Sequence, residues 1–440
     1  MILSRRIGSF SHYLTRMVSD ESLEALARRS GFKKRESLIT PRDFLETVFL
    51  ENATGNVSLS QYCTAMMLNR GKVVSKQALD KRFKSGAKEF FRLIVEMIIS
   101  QQFSASRKQS MGLFSEIRIS DSSEFSVSPV LAEAFPGYGG PGREAMAQIQ
   151  FEYELLEQKI TRLSLGCALD SDVTEGLKGI DSIPPKALLL RDMGYFTLNV
   201  YQELIERDLF FISRLKPQPS IYIREQTEFK EISREALIDT LLAGDTKYLD
   251  LDVFIGSEKK IPVRLIANLL DEEQKSRRLK RKQLNKGKVS KQDELNSCIN
   301  IFITNVDREE CSPQKIYELY KLRWQVELIF KTWKSILAIH KVNPMNKERF
   351  ECLMYVKFIW VLLNWSLVSL FSTISKTEIS LHKFTHTLKK QVHRLVNYIS
   401  IPNDQLTLWL CQLFHISLIY HQKEYKKGTL SVPEILNIKH

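Results

Sequence analysis

Apolar side chains recur at helical spacing through roughly the first hundred residues, in SLEALARRSGF and PRDFLETVFLENA, and Pro41 suits the first turn of a helix. In VSKQALDKRFKSGAKEFFRLIVEMIIS, Ser75 reads as a cap followed by Lys76, Lys81, Arg82 and Lys84 on a helix. Two readings fit this stretch, a helix-turn-helix-like DNA contact and a solvated basic helix. From Gly112 the texture turns to β. LFSEIRIS alternates and ends at Asp121, and AMAQIQFEYELLEQKI and TRLSLGCALD read as two more strands beyond the loop FPGYGGPGRE. PPKALLLRDMGYF opens on Pro184 and Pro185, runs on as a short buried strand, and sets Asp192 at its end before Gly194. A helix in FTLNVYQELIERD follows, and strands followed by a helix indicate an α/β sheet. From Phe210 to Pro313 the chain is β-rich again (FFISRL, IYIRE, KYLDLDVFI, IPVRLIAN, INIFITNV), and beyond Pro313 it is helical to the end. CLMYVKFIWVLLNWSLVSLF, Cys352 to Phe371, has transmembrane length. Lys357 and Asn364 interrupt it and it follows a charged helix, so a buried core helix is the better reading.

Composition narrows the class. The chain has 440 residues, 43% hydrophobic and 26% charged, which is ordinary for a globular protein long enough for two or three domains. A net charge of +13 favours a polyanionic partner, nucleic acid or an anionic membrane surface. KSRRLKRKQLNKGKVSK concentrates nine Lys and Arg between Lys275 and Lys291 and reads as a solvated loop, with Arg278 and Arg281 as candidate phosphate contacts. Cys63, Cys167, Cys298, Cys311, Cys352 and Cys411 show no C-x-x-C pair and no metal-ligand spacing, which argues for a reducing compartment and against a zinc site. MILSRRIGSF is basic but has neither a long apolar core nor an A-x-A site after it, so no signal peptide is evident.

The most particular stretch is YKLRWQVELIFKTWK, Tyr320 to Lys334. On a continuous helix, Arg323, Glu327 and Lys334 fall within roughly 60° of Tyr320, with Lys331 close by. Leu322, Val326, Ile329, Phe330, Trp333, Ile336 and Leu337 take the other side. One carboxylate among cations suits a metal-binding acid beside a phosphate backbone. Asp121 and Asp192, each just past an apolar strand, are candidates to join it, in the crevice where α/β sheets bind ligands. Asp170 and Asp172 compete for that role, and an Asp ending a strand is often only a turn former. Three carboxylates without His or Cys would hold Mg²⁺ or Mn²⁺.

Tyr320, Arg323, Glu327 and Lys334 reproduce a Y-(2)-R-(3)-E-(6)-K signature, so the chain resembles DDE transposases of the insertion-sequence-four family. ISDSS looks like the family's first-acid motif, LLLRDMGYF like its second, and FISRLK and IFITNV like strands of its inserted domain, while VSKQALDKRF is also similar to family members. The resemblance implies an α/β, RNase H-like catalytic core interrupted by a β-rich insertion, flanked by helical regions. The expected layout is a DNA-binding domain over 1–105, core over 106–209 and 314–375, an insertion with its basic loop over 210–313, and a helical C-terminal region over 376–440 suited to dimerisation. It makes Asp121, Asp192 and Glu327 the catalytic metal triad, with two Mg²⁺ or Mn²⁺ ions, and gives Tyr320, Arg323, Lys331, Lys334 and Arg214 to the DNA end. Lys76, Lys81, Arg82, Arg278 and Arg281 join as further DNA contacts on the residue reading. The implied activity is cleavage at insertion-sequence ends and strand transfer. Its partners are double-stranded DNA, as terminal inverted repeats and target, and a second copy of the chain, with no membrane and a bacterial cytoplasmic, nucleoid-associated setting. A non-catalytic DNA-binding protein, either a repressor or an inactivated transposase, and a nuclease without strand transfer stand as alternatives. One departure stands out: where the family often carries a Trp for stacking on a flipped base, this chain has Asn300, which leaves that task to another ring such as Tyr222 or Tyr248.

Overall fold

The computed structural model describes residues 2–55, 57–103, 112–170, 172–244, 246–400, 404–426 and 428–436. In chain order the first helices are α1 (Ile2–Met17), α2 (Asp20–Arg29), α3 (Pro41–Thr54), α4 (Leu59–Arg70), α5 (Lys76–Asp80) and α6 (Ser85–Ser100). Local chemistry fixes their starts. Thr40 and Asp43 form a capping box before Pro41, Ser58 and Gln61 form another, and Ser75 accepts from Ala78 N. The strands are β1 (Ile117–Ser126), β2 (Met146–Glu154), β3 (Lys159–Cys167), β4 (Leu188–Arg191), β5 (Phe210–Arg214), β6 (Ile221–Glu225), β7 (Glu228–Ile232), β8 (Leu249–Ile255), β9 (Ile261–Leu269) and β10 (Ile299–Thr304). Between and after them lie α7 (Asp172–Leu177), α8 (Leu198–Glu206), α9 (Arg234–Ala243), α10 (Glu272–Lys286), α11 (Lys291–Cys298), α12 (Pro313–Lys321) and α13 (Trp324–Ser335). The C-terminal helices are α14 (Lys347–Ser375), α15 (Leu381–Lys390), α16 (Val392–Ser400), α17 (Gln405–Tyr420) and α18 (Val432–Leu436).

The chain forms two compact units, and β1 and α13 each run from one into the other. The first unit takes residues 1–109, 122–170 and 326–429. Its axis is α14, packed on α3 and α6, with Phe350, Met354, Phe358 and Phe371 wholly buried. Phe49 meets Trp360 edge-on at 5.4 Å, and Phe151 of the β2–β3 hairpin meets Trp333 at 4.9 Å. The segment of transmembrane length is thus a core helix. Asn364 donates to Trp360 O, and the Lys357 ammonium is held by the carbonyls of Ala338, Ile339 and Lys341. A buried charge needs such partners.

The second unit takes residues 110–121, 171–325 and 430–440 and is built on a mixed sheet. Its order is β1-β4-β5-β10-β9-β8-β6-β7, parallel from β1 through β5 and antiparallel beyond. Leu189, Phe211, Ile299, Ile301 and Ile303 lie in its core with Tyr201 and Leu204 of α8. Two sequence expectations are corrected. The basic run is not a single loop: through Lys286 it forms α10, capped by Asp271 and opened by Glu272 and Glu273, whose charges suit a helix N-terminus, and only residues 287–290 connect it to α11. Tyr320 to Lys334 is not one helix: α12 stops at Lys321 and α13 starts at Trp324, with Leu322 and Arg323 in a turn.

Candidate active site

β1 and β4 run parallel with Ser120 opposite Arg191, so the next residue of each strand is an acid, Asp121 and Asp192. The Leu188–Leu190 run of β4 is buried on both faces, as parallel strands are, and the chain turns after Arg191. Asp192 opens a 3₁₀ turn over Met193–Tyr195 without capping it through its side chain. Asp121, by contrast, is not at a strand end: β1 continues to Ser126, and Asp121 marks where its pairing with β4 stops. Its Oδ2 accepts from Arg323 Nη1 at 3.0 Å. Asp170 proves to be a turn former, accepting from Cys167 N at 2.8 Å, and the side chain of Asp172 lies outside the described residues.

Around these acids the second unit gathers Tyr320, Arg323 and Arg214. Tyr320 is buried edge-on to Phe302 at 5.0 Å, and burial pushes its phenol up to about 12. Arg214 stands opposite Phe302 in the β5–β10 pair. Sequence reasoning missed Arg191, which is almost fully buried beside both acids. Its Nε reaches Ser120 Oγ at 3.2 Å, across β1 and β4, and its Nη1 donates to Gly176 O at 2.7 Å. The available signal was a charged residue closing an otherwise apolar strand. Glu327, Lys331 and Lys334 stand on α13 in the first unit, Glu327 in the helix's first turn. Lys331 is exposed. Lys334 is half-buried with its ammonium pushed down by burial, and its Nζ lies 3.4 Å from Glu124 O.

Residues 112–363, more than half of the chain, match the transposase DDE domain model. The chain belongs to the DDE transposase family. The transposase is 29% identical over 463 residues to that of insertion sequence IS231F from Bacillus thuringiensis subsp. israelensis, covering 99% of this chain and 96% of the relative. It is 30% identical over 469 residues to the IS1151 transposase of Clostridium perfringens, covering 97% of each. These are insertion-sequence-four-type relatives. A solved piggyBac transposase synaptic complex with hairpin DNA aligns over 94% of this chain and 84% of that one at 9% identity and a TM-score of 0.44, too distant to carry geometry across.

Enzymes of this family use divalent metal ions. The transposase's acids suit them by donor type, since Asp121 and Asp192 offer hard oxygen ligands from neighbouring strands. Among the described residues, no three His, Cys, Asp or Glu side chains are gathered as a metal site. Asp121 is engaged by Arg323, so taking up an ion requires that pair to part. The transposase's other candidate cations are dispersed. Lys76, on the short α5, and Lys81, just past it, are exposed, whereas Arg82 lies over the Phe32 ring and donates to Ser37 Oγ. Arg281 is exposed on α10, and Arg278 turns inward to Asn300 Oδ1 and Ile299 O. Of the rings offered in place of the missing Trp, Tyr222 carries the Lys260 ammonium 3.6 Å above it, and Tyr248 lies against Tyr317 at 6.4 Å. All six cysteines are free.

Proposed function

We propose that this transposase cleaves DNA at the terminal inverted repeats of a bacterial insertion sequence and joins the freed 3′-hydroxyl to target DNA, on an RNase H-like core. The observation that carries the reading is the pair of acids at one level of adjacent parallel strands, Asp121 within β1 and Asp192 just past β4, with the family signature supplying Glu327 as third ligand. When bound, two divalent ions would activate the attacking oxygen and stabilise the leaving one in an in-line displacement. The chain's own residues bind and orient. Tyr320, Arg323, Lys331, Lys334 and Arg214 hold phosphates of the DNA end, and guanidinium groups suit that task by their fixed fork of donors. Arg191 ties β1 to β4 and so keeps the two acids at one level. Lys76, Lys81, Arg82, Arg278 and Arg281 extend the contact along the duplex, the chain works as a homodimer that pairs two ends, and it acts on the nucleoid in the cytoplasm.

The test is Glu327→Gln, assayed on linear duplexes carrying the element's ends. End binding in EDTA should survive, while cleavage and joining in Mg²⁺ or Mn²⁺ should be lost. Cleavage at the wild-type rate would remove Glu327 from the triad. Ends that are cut but never joined would favour a plain nuclease.

A further inference from the structure

The sheet of the second unit buries apolar residues on both faces, and on the face opposite its main core Leu190, Ile212 and Ile266 are joined around β10 by a small polar group. Strand alternation sends Ile299, Ile301 and Ile303 of β10 into the core, and therefore Asn300 and Phe302 to the opposite face. Arg214 of β5 stands across from Phe302, and Asn268 of β9 across from Asn300, so both share that face. α10 brings in Arg278, whose Nη2 donates to Asn300 Oδ1 and whose Nη1 lies 3.3 Å from Ile299 O. Tyr317 and Tyr320 of α12 meet Phe302 edge-on at 5.8 and 5.0 Å.

Among the described residues, neither Arg214 nor Arg278 has an acidic partner. Arg278 is nevertheless half-buried, and burial together with the nearby Arg214 pushes its guanidinium down to about 10. Like charges partly shielded from water repel more strongly than they would in bulk solvent. An anion between them removes that repulsion. One further group points to a ligand. Asn268 Oδ1 is buried without a hydrogen-bond partner among the described residues, and such a group is destabilising unless a ligand completes it. It needs a donor, which a bare anion lacks and a nucleoside has.

Resting on the proposed DNA-end reading, we propose that Arg214 and Arg278, the half-exposed cations at this face, clamp one phosphodiester of a bound strand, at a linkage separate from the one the acids cut. The test measures binding of an end duplex to the full chain in EDTA across a salt titration. Arg278→Gln and Arg214→Gln should each weaken binding by about 5- to 10-fold near 0.1 M salt. Because one phosphate is shared, the double variant should lower the log–log salt slope by about one, not two. A neutral methylphosphonate walked along the strand should find one linkage that weakens wild-type binding and leaves the double variant unaffected. Asn300→Ala, which keeps both guanidiniums, should bind nearly as wild type. Unchanged affinity and slope in Arg278→Gln would overturn the clamp, as would Asn300→Ala reproducing its full loss, since Arg278 would then act only by holding Asn300. An end duplex bound no better than unrelated DNA counts instead against the proposed function, with the slopes still readable.

Discussion

Arg323 has two claims on it. In the free protein it donates to Asp121 at 3.0 Å, with 13% and 19% of the two side chains exposed. To hold a phosphate it must give up that carboxylate, so the ion pair opposes DNA binding. A charge-assisted bond in a buried setting contributes about 1.5–3 kcal/mol, and an exposed pair about 0–1. With roughly a sixth of each side chain in water, about 1 kcal/mol is the reasonable figure, a factor of about five in affinity. Asp121→Asn should therefore tighten metal-free binding of an end duplex by about fivefold, because Arg323 no longer has to be withdrawn. Removing a negative charge near DNA also helps nonspecifically, so the single variant is not decisive. The double-mutant cycle with Arg323→Gln is. Anisotropy titrations of the four proteins in EDTA, where cleavage cannot intervene, should show most of the Asp121→Asn gain vanishing in the Arg323→Gln background. An equal gain in both backgrounds would refute the reasoning, because the benefit would then owe nothing to releasing Arg323.

Three other outcomes follow from single sites. The Lys357 ammonium is pushed by burial from 10.5 down to about 8. Below pH 8 it is protonated in both folded and unfolded chains, and between the two values the unfolded chain holds more protons, so stability rises with pH there, by on the order of 3 kcal/mol. Lys357→Met should remove that rise when denaturation midpoints of the two proteins are compared from pH 7 to 10.5, and parallel curves would contradict it. Tyr320→Phe removes a buried hydroxyl that faces Arg323, so stability should change by no more than about 1 kcal/mol while end binding weakens. A lower Tm with unchanged binding would count against a ligand role. At Gly86 an added Cβ would lie 2.9 Å from Gly31 O and 3.0 Å from Phe32 N, backbone atoms that cannot swing aside. Gly86→Ala should therefore lose about 1–3 kcal/mol despite alanine's better helix propensity, and a raised Tm would show that the α2–α6 approach can relax.

How much of this was legible in the sequence depends on the range of the interaction involved. The helix starts at Thr40, Ser58 and Ser75 are set within three residues, and β4 followed by α8 is set by a short apolar run and a capping threonine, so those elements could be read directly. Charge density alone points the basic run to a loop, but it does not decide the conformation. Its order comes instead from Asp271, Glu272 and Glu273 at its head and from Arg278 packing inward, and the last of these is tertiary. The partners of Arg191 and Arg323 were invisible for the same reason, since Ser120 and Asp121 lie 71 and 202 residues away, although a charge closing the apolar run of β4 marked Arg191 itself.

The break at Leu322 and Arg323 shows how a correct motif can rest on an inexact geometry. No proline or glycine marks the site, and the wheel drawn through Tyr320 to Lys334 assumed one axis. In the fold, Leu322 N, Arg323 N and Gln325 N each bond the carbonyl three residues back, a tight turn that ends α12 and restarts the helix. Tyr320 and Arg323 thereby belong to the unit that holds Asp121 and Asp192, while Glu327 falls in the first turn of α13, where unpaired amides and the helix dipole favour a carboxylate. The signature's spacing therefore measures something other than a shared helical face. It places Tyr320 before a turn, Arg323 in it, and Glu327 and Lys334 on the helix after it, and a substitution that straightened the turn would keep every signature residue while changing what each one faces.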